Sequence, residues 1–246
     1  MSRYAPSGVA YSSFGPGPMT FAVKWIIITN VVMFVITEFF DVVIQYLGLS
    51  PQAVLKHGYV WQLGTYMFLH ADVMHILLNV LGVWMFGVTL ERRWGTRFFV
   101  KYYAITGLGG AVAALGISLL PFEATAPAYY ATTIGASGAL FGLLLAFAMY
   151  YPDQPILVML LFPIPAKIFV MIFGGIALLY TFRGAGGISH AAHLGGLVTG
   201  YVYLKNGRGG MSAEIKYRYL KWKMNRLRRK FDVYSGGRSD WDRNVH

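Results

Sequence analysis

Cysteine is absent from the 246 residues, which removes a disulfide framework, a thiolate nucleophile and a Cys-ligated zinc site from consideration. Charge is scarce as well. Asp, Glu, Lys and Arg make up 13% of the chain and hydrophobic residues 56%, whereas a soluble domain carries about 25% charged residues. The composition therefore excludes an ordinary soluble fold and points to a protein with membrane spans. The first twenty residues, MSRYAPSGVAYSSFGPGPMT, lack the basic and apolar regions of a cleavable signal peptide. They read as a flexible cytoplasmic leader (1–20) before an uncleaved first span. No internal repeat of 20–50 residues is visible, which speaks against a solenoid or an inverted-repeat transporter.

What the chain does have is long apolar runs, at about 22–47, 74–90, 98–120, 137–151, 165–182 and 188–204. A helix needs roughly 20 apolar residues to cross a hydrocarbon core about 30 Å thick. The expected fold is thus all-α, a polytopic membrane protein with a six-transmembrane-helix bundle at 21–206 and a basic cytoplasmic tail at 207–246. The net charge of +11 is no sign of nucleic-acid binding, because twelve of the 21 cations lie between Lys205 and Arg243. With the N-terminus inside, only Lys56 and Arg183 fall outside, so the positive-inside rule puts both termini in the cytoplasm. In the tail, Leu220, Met224, Leu227 and Phe231 recur at helical spacing among Lys and Arg. That pattern suits either an amphipathic helix on an anionic lipid leaflet or a solvated extension. The run 137–151 is short, and Pro155, Pro163 and Pro165 after it predict an irregular or re-entrant inner connection.

Polar side chains within spans are costly and mark functional sites by default. Here they are His70, His75 and Asn79 near the start of span two, Ser137 at the start of span four, and His190 and His193 at the start of span six. Even-numbered spans all enter from outside, so the topology sets these six residues at one depth. A serine needs a base to become nucleophilic, and a neutral histidine is the usual partner; either span-six histidine could serve. His75 and Asn79, spaced i, i+4, share a helix face and suit an oxyanion hole completed by a backbone N–H near Ser137. Phe141, one turn below Ser137, can pack under the imidazole. Gly138 and Gly142 on span four, with Gly196 and Gly200 on span six, form small-xxx-small patterns that let the two helices approach. His193 is the better base, being in register with those glycines. The only nearby carboxylate is Asp72, in the outer loop, so a Ser-His dyad is expected rather than a triad. A metal held by His70, His75, His190 and His193 is the rival chemistry, and it leaves Ser137 and its glycines unexplained.

These residues resemble the rhomboid family of intramembrane serine proteases along nearly the whole six-span core. Gly135-Ala136-Ser137-Gly138 looks like the family's GxSG nucleophile motif, His193-Leu194-Gly195-Gly196 like its catalytic-histidine motif, and His70 to Asn79 like its segment of two histidines and an asparagine. The three motifs occur in order and at matching depth, which is far more specific than GxSG alone. The resemblance implies a Ser137–His193 dyad, His75 and Asn79 as oxyanion donors, and Phe141 stacked on the histidine. It implies no cofactor. Glu91-Arg92-Arg93 fits the structural E-x-R signature, and Gln62 of Trp61-Gln62 stands where the family commonly has arginine. Substrates would be transmembrane segments of other proteins, admitted by a lateral gate near spans two and five and under a cap for which the glycine-rich link 183–187 is suited. The alternative is a catalytically silent rhomboid-like protein that binds membrane clients. A small-solute transporter is disfavoured, since no span carries charge near its middle. The compact core without a seventh span suggests a bacterial plasma membrane.

Overall fold

The computed structural model describes residues 15–123, 125–158, 162–182, 187–207 and 223. The chain divides into two compact units, Met1–Tyr203 and Leu204–His246. Of the second, residues 204–207 complete the last helix and residue 223 is helical; the amphipathic tail expected around Leu220 to Phe231 lies outside the described residues.

The first unit is a helical membrane bundle. Its six spans are α1 (Phe21–Phe39), α5 (Val73–Trp94), α6 (Thr96–Ser118), α7 (Ser137–Tyr150), α8 (Ala166–Tyr180) and α9 (Gly187–Gly207). Between α1 and α5 the chain forms three short helices, α2 (Val42–Leu47), α3 (Pro51–His57) and α4 (Gln62–Thr65), and a 3₁₀ turn at Tyr66–Phe68. The first apolar run is therefore not one helix to residue 47. It ends at Phe39, and α2 begins only after Phe40 and Asp41. Local chemistry sets the short elements: Ser50 caps α3 by accepting from the Ala53 N–H, Pro51 occupies its first turn, and Gly58 ends it at φ +71°, a conformation open to glycine.

The described parts of the proline-punctuated inner connection are two strands. Pro155–Val158 (β1) and Phe162–Pro165 (β2) pair antiparallel, with Pro155 opposite Pro165 and Leu157 opposite Pro163. A two-stranded ribbon consists of edges only, so its prolines forfeit few ladder bonds. The expected irregular connection is thus a strand pairing, within a fold that is otherwise all-α as expected.

Helix α7 is the centre of the bundle: eight of its fourteen residues are buried, against Ala166 and Ala177 alone in α8. At 1.5 Å per residue α7 is about 21 Å long, too short to cross a 30 Å core, and Ser137 is its first residue. Exposed Trp25, Val32 and Val35 on α1 and Met171, Ile172 and Leu179 on α8 would be a liability in water. On a membrane bundle they are the lipid-facing surface.

The C-terminal end of α5 is fixed by charge. The buried Glu91 carboxylate accepts from the Ala22 and Val23 N–H groups at 3.0 Å and from the Thr20 and Thr96 hydroxyls, so it caps the N-terminus of α1. Arg92 donates to the Pro16 and Pro18 carbonyls at 2.6 and 2.8 Å, and the Arg93 guanidinium lies 4.3 Å from the centroid of the Tyr150 ring, at the end of α7. The E-x-R segment thus ties α5 to α1, α6 and α7. Gln62 is fully buried and does comparable work in the outer loop: its Nε2 donates to the Gln45 and Tyr46 carbonyls and its Oε1 accepts from the Ser50 N–H.

Candidate active site

Residues 131–135 approach α7 as an extended segment held from two sides. Leu49 and Thr133 exchange backbone hydrogen bonds at 2.9 and 2.8 Å, and the Gly135 N–H donates to the Tyr66 carbonyl at 2.9 Å. Gly135 sits at φ +123°, and a Cβ there would lie 2.6 Å from His75 Nε2. Only glycine meets both demands. The chain then turns into α7 with Ser137 first and no side-chain cap, which leaves the earliest N–H groups of that helix without intrahelical partners.

Ser137 Oγ lies 2.6 Å from His193 Nε2. With the hydroxyl donating, the neutral imidazole carries its proton on Nδ1. The His193 ring is stacked on Phe141 with centroids 4.3 Å apart and planes within 4°, which fixes its orientation. The helix contact that permits this is closer than any side chain would allow: a Cβ on Gly196 would fall 1.9 Å from the Gly138 carbonyl oxygen. A Cβ on Gly142 would first meet Thr106, and one on Gly200 the Tyr102 hydroxyl, so the nearest neighbour of both is α6.

On α5, Asp72 caps the helix by accepting from the His75 N–H at 2.8 Å. The Ala71 N–H donates to His75 Nδ1 at 3.3 Å, so the neutral ring carries its hydrogen on Nε2, the nitrogen beside Gly135. Asn79 is buried, and its Nδ2 donates to the His75 carbonyl at 2.8 Å. An amide nitrogen has two hydrogens, so one remains for another acceptor. His70 is buried edge-on to His75, with centroids 5.0 Å apart. His190 stands perpendicular to His193 at 5.8 Å and leans on Tyr180 at 5.3 Å; no hydrogen bond joins it to Ser137. Among the described residues no three His, Asp or Glu side chains converge in a metal-holding group.

Two tyrosines that sequence reasoning passed over frame the site. The Tyr66 hydroxyl donates to the Gly107 carbonyl at 2.8 Å and would lie 3.0 Å from a Cβ on Gly138. Tyr102 donates to the Gly142 carbonyl at 2.8 Å. Both are buried phenols that need a partner in an apolar medium, and that need was the available signal.

Residues 57–206 match the family model described as Rhomboid domain, and the chain belongs to the rhomboid family, a class of polytopic membrane helical bundles. Among the relatives, it is 31% identical over 150 residues to RHOMBOID-like protein 12, mitochondrial, of Arabidopsis thaliana, covering 57% of this chain and 44% of that one. It is 31% identical over 140 residues to Rhomboid protein 1, mitochondrial, of Saccharomyces cerevisiae, covering 55% and 38%. With Rhomboid protease GluP of Bacillus subtilis it shares 29% over 154 residues, covering 63% and 27%. The chain thus spans less than half the length of these relatives.

Proposed function

We propose that this protein is an intramembrane serine endopeptidase that cleaves transmembrane segments of other membrane proteins through a Ser137–His193 dyad. The observation that carries the reading is the 2.6 Å pairing of Ser137 Oγ with His193 Nε2 at the first residue of α7. A relative named as a rhomboid protease gives it further support. In the first step Ser137 Oγ attacks the scissile carbonyl carbon while its proton passes to His193 Nε2. The oxyanion that forms is met by His75 Nε2–H, the remaining Asn79 Nδ2 hydrogen and the Ser137 N–H. The C–N bond breaks, the imidazolium gives its proton to the leaving amine, and an acyl ester remains on Ser137. Water then attacks the ester, with His193 taking its proton and returning it to Ser137 Oγ.

Clients enter laterally between α5 and the thinly packed α8, whose inner end is joined to the hairpin and whose outer end leads into the link at 183–187, a segment proposed as cap. Residues 183–186 of that link lie outside the described residues. The leader 1–20, the core 21–206 and the basic tail 207–246 form the proposed domain plan, with both termini on the cation-rich side and the tail on anionic lipid. A bacterial plasma membrane rests on the compact core alone, and the mitochondrial relatives lend it no support.

The test is labelling of the purified protein with a serine-reactive fluorophosphonate, alongside cleavage of a transmembrane reporter. Wild-type protein should label and cleave, and Ser137→Ala should do neither while melting normally. A folded wild-type protein that binds the reporter without labelling or cleavage would replace the protease reading with the silent client-binding one.

A further inference from the structure

The outward face of α6 is not uniform along its length. Arg97 and Lys101 stand i, i+4 at its inner end, both exposed, and residues at that spacing are neighbours about 6 Å apart at Cβ. Neither is ion-paired among the described residues. Lys101 Nζ lies 5.9 Å from the centroid of the Tyr203 ring on α9, at the outer limit of a cation–π contact, which leaves the ammonium open to an anion. Towards the membrane middle the same face continues as exposed Leu108 and Val112, 42% and 62% accessible. Those residues lie about 10 and 16 Å from Lys101 along the axis, the depth of one leaflet's acyl chains.

Scattered cations at an inner surface need no ligand to explain them, since positive-inside bias supplies them anyway. Arg97 and Lys101 differ by their spacing and by the apolar strip in line beneath them. The cations in the last turn of the preceding helix, α5, are already engaged: Arg92 with carbonyls and Arg93 with an aromatic ring at 4.3 Å. We propose that this face of α6 is a binding site for one anionic phospholipid, its phosphate bridging Arg97 and Lys101 and its acyl chains lying on Leu108 and Val112. Charge complementarity selects the headgroup, and the length of the apolar strip selects a lipid over a soluble phosphate. The site is independent of the serine chemistry.

The full-length protein is reconstituted in nanodiscs of phosphatidylcholine with 10–20% phosphatidylglycerol, as a rough composition at which each basic residue contributes measurably, and retained lipid is counted by native mass spectrometry. Wild-type protein should keep one phosphatidylglycerol preferentially. Arg97→Gln with Lys101→Gln should weaken retention on the order of 30-fold, about five-fold per charge, and Arg97→Lys with Lys101→Arg should restore it. Removing two cations outside both this face and the tail instead, Lys56→Gln with Lys167→Gln, should leave the bound lipid in place. An equal loss from that pair, no preference over phosphatidylcholine, or displacement by millimolar inorganic phosphate would each overturn the proposal.

Discussion

Gly135→Ala tests how the backbone before the serine serves the site. The substitution places a methyl group 2.6 Å from His75 Nε2 and 2.9 Å from its Cε1, at a residue with φ +123°. A non-glycine residue in such a conformation costs about 1–3 kcal/mol, and the overlap forces the imidazole away from the proposed oxyanion position. The loss of one such donor lowers kcat by about 10²–10³. The two costs separate in measurement. Cleavage of a transmembrane reporter should fall by two to three orders of magnitude, while the melting temperature falls by roughly 2–4 °C per kcal/mol of strain. Gly64→Ala is the control, because nothing lies within 4 Å of its added Cβ, and it should be silent in both assays. If Gly135 acts through His75, the two changes must not add: on a His75→Ala background, Gly135→Ala should cost little further kcat. Wild-type turnover in Gly135→Ala, or an undiminished loss on that background, would refute the coupling.

Three further outcomes are expected. His193→Ala should remove both cleavage and fluorophosphonate labelling, whereas His190→Ala should leave measurable activity, since it makes no hydrogen bond to Ser137; the reverse pattern in the same two assays would exchange their roles. Asn79→Ala should lower kcat by up to about 10²-fold without abolishing labelling, because His75 and the Ser137 N–H remain, and steady-state kinetics at saturating reporter measures it. Glu91→Ala should leave the chemistry intact but destabilise the bundle by about 2–4 kcal/mol through orphaned buried donors at the start of α1, read as a lowered thermal midpoint with normal labelling of the folded fraction.

The spans were legible because charge is excluded from them so thoroughly that Lys and Arg mark their ends, and that same bookkeeping brought Ser137, His75, Asn79 and His193 to one depth. The limits were set by contacts between segments distant in sequence. Nothing near Gly142 or Gly200 announces that their neighbours are Thr106 and Tyr102, since a small residue says only that something comes close. Gln62 looked like a lost arginine until its amide was seen to satisfy three backbone groups at once. The hairpin was hidden because a continuous apolar run punctuated by proline fits several conformations, and pairing of Ile156 with Ile164 decides among them.

The shortness of α7 has a consequence for where a client would be cut. The depth of Ser137 is set by helix packing within the bundle, while the depth of a client's peptide bonds is set by the fit of its apolar stretch to the lipid. Under the proposed function the bundle would then work as a fixed stop against which the client slides. A bilayer thicker or thinner by a few ångströms should move the cleavage position along a helical client by about one residue per 1.5 Å, so that lipid chain length, and not only client sequence, selects the bond.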